Sequence, residues 1–389
     1  MQPNPTQVGS AAKSSTAPER KSNRIAALDW MRGLVMVLMV VDHASMAYDG
    51  HHLDEDSALY AQAESTALPS GEFLTRWMTH LCAPTFVFLA GTSLALSAER
   101  RVEKGASAWE IDKSILTRGA IIALMDPTII SLGSGRWTFQ VLFAIGVAMM
   151  CMAALRHLPS WALLVLGAGW IALGEFPTSL AWRPPGSASP LAAFTMAAYG
   201  SDTMIIKYPV LPWLAMMVLG WVFGRHMVRC ASGQSRISPK AVLTCAGVAA
   251  LVVFVFVRAE QGYGDMFLHR ANDSWQQWLH VSKYPPSLSF SSLELGLLCL
   301  CLAGLMAIEP VIGVRRNGVL LVYGQTAMFF YLVHRLVLEI PATYFGLRGA
   351  GNLATTYLVS AGLLVALYPA CLWFRGVKAA HPQSLLKYC

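Results

Sequence analysis

Ten apolar runs, each near the length that crosses a lipid bilayer, dominate this sequence. A helix needs about 20 residues to span the hydrocarbon layer, because each residue adds only about 1.5 Å of rise. The runs lie at roughly 27–47, 73–97, 114–132, 138–155, 160–176, 209–227, 241–258, 286–308, 319–340 and 354–374. A soluble core does not absorb that much apolar chain. Hydrophobic residues make up 55% of the 389 and charged residues only 13%, where soluble domains carry about a quarter charged. The expected fold class is all-α: a polytopic integral membrane helical bundle of about ten transmembrane helices. Soluble enzymes, disordered proteins and nucleic-acid-binding domains are excluded. The net charge of +7 does not revive the last class, since excess Lys and Arg of membrane proteins collect in cytoplasmic loops.

That bias also sets the orientation. With the N-terminus inside, 20 of the 29 Lys and Arg fall on the cytoplasmic side, and an even number of spans places both termini there. Residues 1–24, rich in Ser, Pro, Thr and Ala, read as a disordered cytoplasmic tail. Residues 25–375 form the transmembrane domain, and 376–389 a cytoplasmic C-terminal tail. The run from Gly33 to Val41 imitates a signal-peptide core. Asp29 and Arg32 just before it, and the many spans after it, favour an uncleaved first span. Most of the eight cysteines sit inside apolar runs and no C-x-x-C occurs, so their expected role is packing. Three long loops, about 48–72, 177–208 and 259–285, fall outside and read as a lid or vestibule. The first is acidic, with Asp49, Asp54, Glu55, Asp56, Glu64 and Glu72.

Ionisable residues inside spans are costly to bury and therefore mark function. The first span is densest in them. At 100° per residue Asp29, Arg32, Met36, Met39 and His43 share one helical face. Asp29 marks the cytoplasmic end, and His43 lies about 21 Å further along, near the outer end. Asp42 points about 100° away from His43. On the second, antiparallel run Arg76 and His80 are i, i+4 neighbours, and His80 is placed to share a depth with His43. His334, in the outer half of the ninth run, is a third histidine able to join them, and Glu294 is a further intramembrane carboxyl. Lys207-Tyr208-Pro209 and Lys283-Tyr284-Pro285 each put a cation and a phenol at the outer interface before a proline-started helix. His51 to Asp56 contains metal-ligand types without ligand spacing, and no metal is expected.

Several of these stretches together resemble a known family. Arg24-Ile-Ala-Ala-Leu-Asp29-Trp-Met-Arg32-Gly33 opens the first span, which ends in Asp42-His43. Arg76-Trp-Met-Thr-His80-Leu-Cys-Ala-Pro84 opens the second, followed by Phe-Leu-Ala-Gly91-Thr-Ser. Tyr208-Pro-Val-Leu-Pro-Trp213, Gly262-Tyr-Gly-Asp265, Lys283-Tyr-Pro-Pro-Ser287 and Phe330-Tyr-Leu-Val-His334 follow in order. The set resembles the heparan-α-glucosaminide N-acetyltransferase catalytic-domain family of the transmembrane acyltransferase superfamily. The resemblance implies acetyl transfer from cytoplasmic acetyl-CoA to an amine or hydroxyl of a sugar or glycan on the outer side. In a bacterial cell this means the inner membrane. Family analogy also implies a homodimer.

On that reading Arg32, Arg100, Arg101 and Arg118, with Asp29, would hold CoA at the cytoplasmic interface. His43 or His80 would take the acceptor's proton, a role that suits a neutral imidazole. Asp42 would orient a histidine of a neighbouring helix, and Arg76 or a tyrosine hydroxyl would meet the developing oxyanion. Lys283, Tyr284, Tyr208, Trp213 and His334 would line the acceptor side. Direct transfer and a covalent acyl-histidine both fit. Two other readings stand beside this one: a proton-coupled small-molecule transporter using His43, His80 and Glu294, and a membrane scaffold.

Overall fold

The computed structural model describes residues 25–53, 56–57, 68–131, 136–184, 186, 188–381 and 384. The N-terminal segment read as a tail, most of the last residues, and Asp54, Glu55 and Glu64 of the acidic loop lie outside the described residues. The chain begins with α1 (Ala26–Tyr48), then α2 (Ser70–His80) and α3 (Cys82–Glu103), which together make one long span broken at Leu81. The break falls three residues before Pro84. Proline has no N–H to give the carbonyl one turn back, and its ring crowds that carbonyl. Next come α4 (Ala108–Met125), which runs into a π-helical turn at Asp126–Ile130, and α5 (Val141–Leu155). Then follow α6 (Ser160–Leu173), α7 (Glu175–Ala181), α8 (Pro190–Thr195), α9 (Val210–Ala231) and α10 (Pro239–Glu260). The last five are α11 (Trp275–Leu279), α12 (Leu288–Ile312), α13 (Val319–Gln325), α14 (Ala327–Tyr344) and α15 (Leu353–Ala380).

Every expected run is helical, but not every one is a full span. Among the described residues six helices are long and apolar enough to cross a membrane, or eight if each bent pair counts once. The bent pairs are α6–α7, at 53°, and α13–α14, at 92°. The third and fourth runs fall short for different reasons. Helix α4 carries Glu110, Asp112, Lys113 and Arg118 into its length, and α5 has only 15 residues. The protein is nonetheless a multi-pass helical membrane protein. The helix α15 continues to Ala380, so residues 376–380 are helical.

Helices pack closely where glycines face backbone. A Cβ on Gly33 would meet the Leu320 carbonyl oxygen at 2.0 Å, and one on Gly324 would meet the Asp29 oxygen at 1.9 Å. The pair seats α13 directly on the first turns of α1, the close small-residue contact typical of membrane helices. Gly91 and Gly220 do the same for α3 against α9, with Cβ approaches of 2.1 and 2.0 Å to Met217 and Phe88 carbonyls. The start of α1 is fixed a second way. Ile25 supplies no side-chain cap, and the Glu309 carboxylate of α12 accepts from the Ala26 and Ala27 amides, each at 3.1 Å. A carboxylate there satisfies two orphaned donors and suits the positive end of the helix dipole.

The described parts of the long loops form a cap at the end opposite Asp29. Within it three short strands, β1 (Trp137–Phe139), β2 (Tyr199–Gly200) and β3 (Met204–Ile206), form a sheet of order β1-β3-β2. An all-helical expectation misses this element, because two- and three-residue strands leave no periodicity to read. β1 and β3 are parallel, and β2 and β3 antiparallel. Arg258, fully buried at the end of α10, anchors the cap. It donates to the carbonyls of Leu268 at 3.0 Å, Trp278 at 3.2 Å and His280 at 3.0 Å and pairs with Asp265 at 2.9 Å.

Candidate functional site

A cavity of about 590 Å³ opens at the Asp29 end of the bundle, between α1, α3, α4, α5, α14 and α15. Its mouth is strongly basic: Arg32, Arg100, Arg101, Lys104, Arg118 and Lys378 all line it. The cations arrive from four separate helices, α1, α3, α4 and α15, whose ends the packing gathers. A side pocket of about 40 Å³ between α3 and α4 shares Arg101 and Arg118 with the mouth. Many like charges around one opening focus a positive potential, suited to an anionic ligand with several phosphate groups. Asp29 holds Arg32 in place, with Nη1 to Oδ1 at 2.6 Å, and Arg32 Nη2 donates to Ser93 Oγ at 2.9 Å. All five residues expected at a nucleotide-type site, Asp29, Arg32, Arg100, Arg101 and Arg118, are therefore cavity wall. Sequence reading assigned no role to Ser93, which also lines it, as does Gln325.

Beyond the mouth the walls turn apolar, through Met36, Met39, Leu94, Leu142 and Met328, and reach Tyr331. The Tyr331 ring stands 6.2 Å from that of His43 and 5.6 Å from that of His334, both edge-on. The two histidines are bonded to each other, His43 Nδ1 to His334 Nε2 at 2.7 Å. The direction of this bond follows from its neighbour. His334 Nδ1 lies 2.8 Å from the Phe330 carbonyl oxygen, which only accepts. In a neutral ring His334 Nε2 then carries the lone pair, and His43 Nδ1–H is the donor to it. The remaining His43 nitrogen, Nε2, is left unprotonated. The dyad thus presents a fixed base.

A second polar cluster sits on the cap side. Arg76 Nη1 donates to Asp42 Oδ1 at 2.5 Å, and Arg76 Nε to Asp56 Oδ2 at 2.8 Å, with a further bond from Nη2 to the same Asp56 oxygen. Thr79 Oγ1 also donates to Asp42, at 2.7 Å. Asp42 follows the helical-wheel angle and points away from His43, to Arg76 rather than to a histidine. His80 Nε2 lies 3.2 Å from Asp56 Oδ2 and packs edge-on against Phe290. His43 and His80 thus belong to different clusters and share no hydrogen bond among the described residues. Burial alone would raise the pKa of Asp56. The Arg76 guanidinium, backed by His80, more than offsets it and holds the carboxyl well below the usual range.

The other residues expected on the acceptor side gather there too. Lys283, Tyr284, Tyr208 and Trp213 are all buried. The Tyr208 and Tyr284 hydroxyls are 3.3 Å apart, the Tyr208 ring packs 4.8 Å from Trp213, and Lys283 Nζ stands 5.3 Å from the Tyr284 ring centre. Burial raises the pKa of both phenols, so each stays a neutral donor. The Asp56 carbonyl accepts from the Lys283 amide at 2.8 Å, which ties this part of the first long loop to the group. His334, expected among these, instead belongs to the histidine dyad. The residue that sequence reading passed over is Arg335, buried beside that dyad. Its only signal is a cation inside an apolar run, one position after a histidine. Among the described residues no group of three or more His, Cys, Asp or Glu is placed to hold a metal ion.

Comparison with known families and proteins gives one result. A family model described as heparan-alpha-glucosaminide N-acetyltransferase, catalytic, matches residues 24–259, more than half of the chain. No curated protein matches it.

Proposed function

The chain belongs to the heparan-α-glucosaminide N-acetyltransferase catalytic family, a family of membrane acetyltransferases, and on that premise we propose that it carries an acetyl group from cytoplasmic acetyl-CoA to an amine or hydroxyl of a sugar or glycan on the outer side of a bacterial inner membrane. One observation carries the reading: a basic-mouthed cavity narrows through apolar walls to Tyr331, directly beside a histidine with a free base nitrogen.

The parts fit the chemistry in sequence. Arg100, Arg101, Arg118 and Lys104 hold the phosphates of CoA at the mouth, where bidentate guanidinium–phosphate bonds are strong. The apolar walls take the acyl-bearing arm. The acceptor heteroatom attacks the thioester carbonyl carbon while His43 Nε2 takes its proton. The carbonyl π electrons move to oxygen and return as the C–S bond breaks, and the thiolate leaves with the proton from His43. His334 is a positioning residue that fixes the tautomer of His43. The Tyr208, Tyr284, Trp213 and Lys283 group receives the acceptor, and the Arg76 cluster with His80 shapes that side.

The test is acetyl-CoA binding and thiol release by purified protein in detergent, with a pool of amino sugars and neutral sugars. Arg101→Gln with Arg118→Gln should weaken acetyl-CoA binding at least tenfold while barely changing that of acetyl-pantetheine, which lacks the nucleotide. His43→Ala should bind acetyl-CoA normally and release no thiol. Well-folded wild-type protein that does not bind acetyl-CoA refutes the proposal.

A further inference from the structure

We infer that Arg335 is a catalytic residue of the acyl transfer, its guanidinium receiving the negative oxygen that forms on the thioester carbonyl. The inference rests on the acyl-transfer reading above and adds to it the group that meets the developing charge.

Arg76 had been the candidate from sequence, but its guanidinium is committed to two carboxylates, Asp42 and Asp56. Arg335 is different. It is only 7% exposed, and neither its Nε nor its Nη1 has a hydrogen-bond partner among the described residues. Its ion-pair contact is to Glu339 Oε1, one turn on, at 3.4 Å, without the alignment of a hydrogen bond. Glu339 has another cation, Arg348, for company. A buried guanidinium with idle donors is costly, and it persists where the donors have a ligand to meet.

Its position says which ligand. Arg335 follows Tyr331 by four residues on α14, so the two lie about 40° apart on one face, with Arg335 about 6 Å deeper. Tyr331 is the cavity-lining residue furthest along α14. Arg335 also directly follows His334, whose Nε2 is bonded to His43. Asp126, at the π-helical turn, and Asp42 face the same region. A carbonyl carbon within reach of His43 Nε2 therefore has a cation nearby with unused N–H groups. Preorganised donors aimed at a developing oxyanion commonly supply a factor of about 10²–10³ in rate.

The experiment follows acetyl-CoA labelled with ¹³C at the carbonyl, bound to wild type, Arg335→Gln and Arg335→Lys. Three things are read: affinity, the carbonyl stretching frequency in the bound state, and the rate of thiol release with water as acceptor. Glu339 keeps Arg348, and Asp126 keeps the Gln140 and Phe143 amides, in every variant, and the Lys variant retains the charge should the Gln variant fold poorly. The expected result is affinity within about twofold throughout. The carbonyl band should sit at lower frequency in wild type than in solution, return toward the solution value in Gln, and be intermediate in Lys. Thiol release should fall about 10²–10³-fold in Gln and recover in part in Lys. An unshifted wild-type band, or an unchanged band and rate in the Gln variant, overturns the inference while acetyl-CoA binding still stands. Loss of affinity in the Gln variant overturns it too, by making Arg335 a ground-state anchor. Failure of wild type to bind acetyl-CoA is a different outcome, which removes the acyl-transfer reading itself.

Discussion

Replacing His334 with phenylalanine tests the histidine dyad most sharply. The ring volume is kept, but His43 Nδ1–H loses the Nε2 that accepts from it at 2.7 Å. A polar group left unpaired in such surroundings costs about 1–3 kcal/mol. The proton then gains from moving to Nε2, which turns the base nitrogen into a donor. Since each 1.4 kcal/mol is about tenfold in population, the productive tautomer falls by about 5- to 150-fold, and the turnover number falls with it. The assay is thiol release from acetyl-CoA under saturating acceptor. The KM for acetyl-CoA should stay within about twofold, because neither histidine lines the basic mouth. His334→Gln, whose amide oxygen accepts a hydrogen bond, should recover part of the loss. A phenylalanine variant with the wild-type turnover number refutes the tautomer argument.

The remaining predictions concern the scaffold. Gly324→Ala places a methyl 1.9 Å from the Asp29 oxygen, so α13 must slide on α1; a loss of about 1–3 kcal/mol and weaker acetyl-CoA binding are expected, by thermal unfolding and titration. Glu309→Ala removes the acceptor of two amides at the start of α1 and should cost about 0.5–2 kcal/mol, read as a lowered unfolding midpoint with unchanged helix content. Arg76→Gln leaves Asp42 and Asp56 without their cation and should cost about 3–5 kcal/mol near neutral pH. The pH dependence of that loss has a definite sign. Burial raises the Asp56 pKa, but Arg76, together with His80 and Lys283, outweighs it and holds the carboxyl below its ordinary pKa of about 3.9. The stability it contributes is therefore present above about pH 4 and lost as pH falls through the lowered value. The gap between wild type and Arg76→Gln should narrow on acidification; a gap that widens contradicts the assignment.

Much of this was legible because a helix is periodic. Asp29, Arg32, Met36 and Met39 share a face on any helical wheel, and they share a cavity wall here. The 100° offset of Asp42 from His43 likewise survives, as its bond to Arg76 shows. What was not legible depends on contacts between distant segments. His43 meets His334 across 291 positions, and no periodicity relates them. His80 and His43 have the right spacing to share a depth, yet Asp56, from a loop, claims the neighbourhood of His80. Bends were not legible for a related reason: hydropathy records apolar stretches but not their direction, so the 92° turn between α13 and α14 is invisible to it.

That turn has a consequence for distance. Because α13 is only seven residues long, it is about 10 Å from end to end, a third of the thickness of a bilayer core. The chain then swings sideways, and the Gly324, Gln325, Ala327 and Met328 corner becomes cavity wall instead of lipid-facing helix. On the proposed reading a charged ligand passes along this corner into the bundle without meeting lipid. On that reading the acetyl group therefore starts its transfer from inside the bundle, beside Tyr331, and not from the membrane surface.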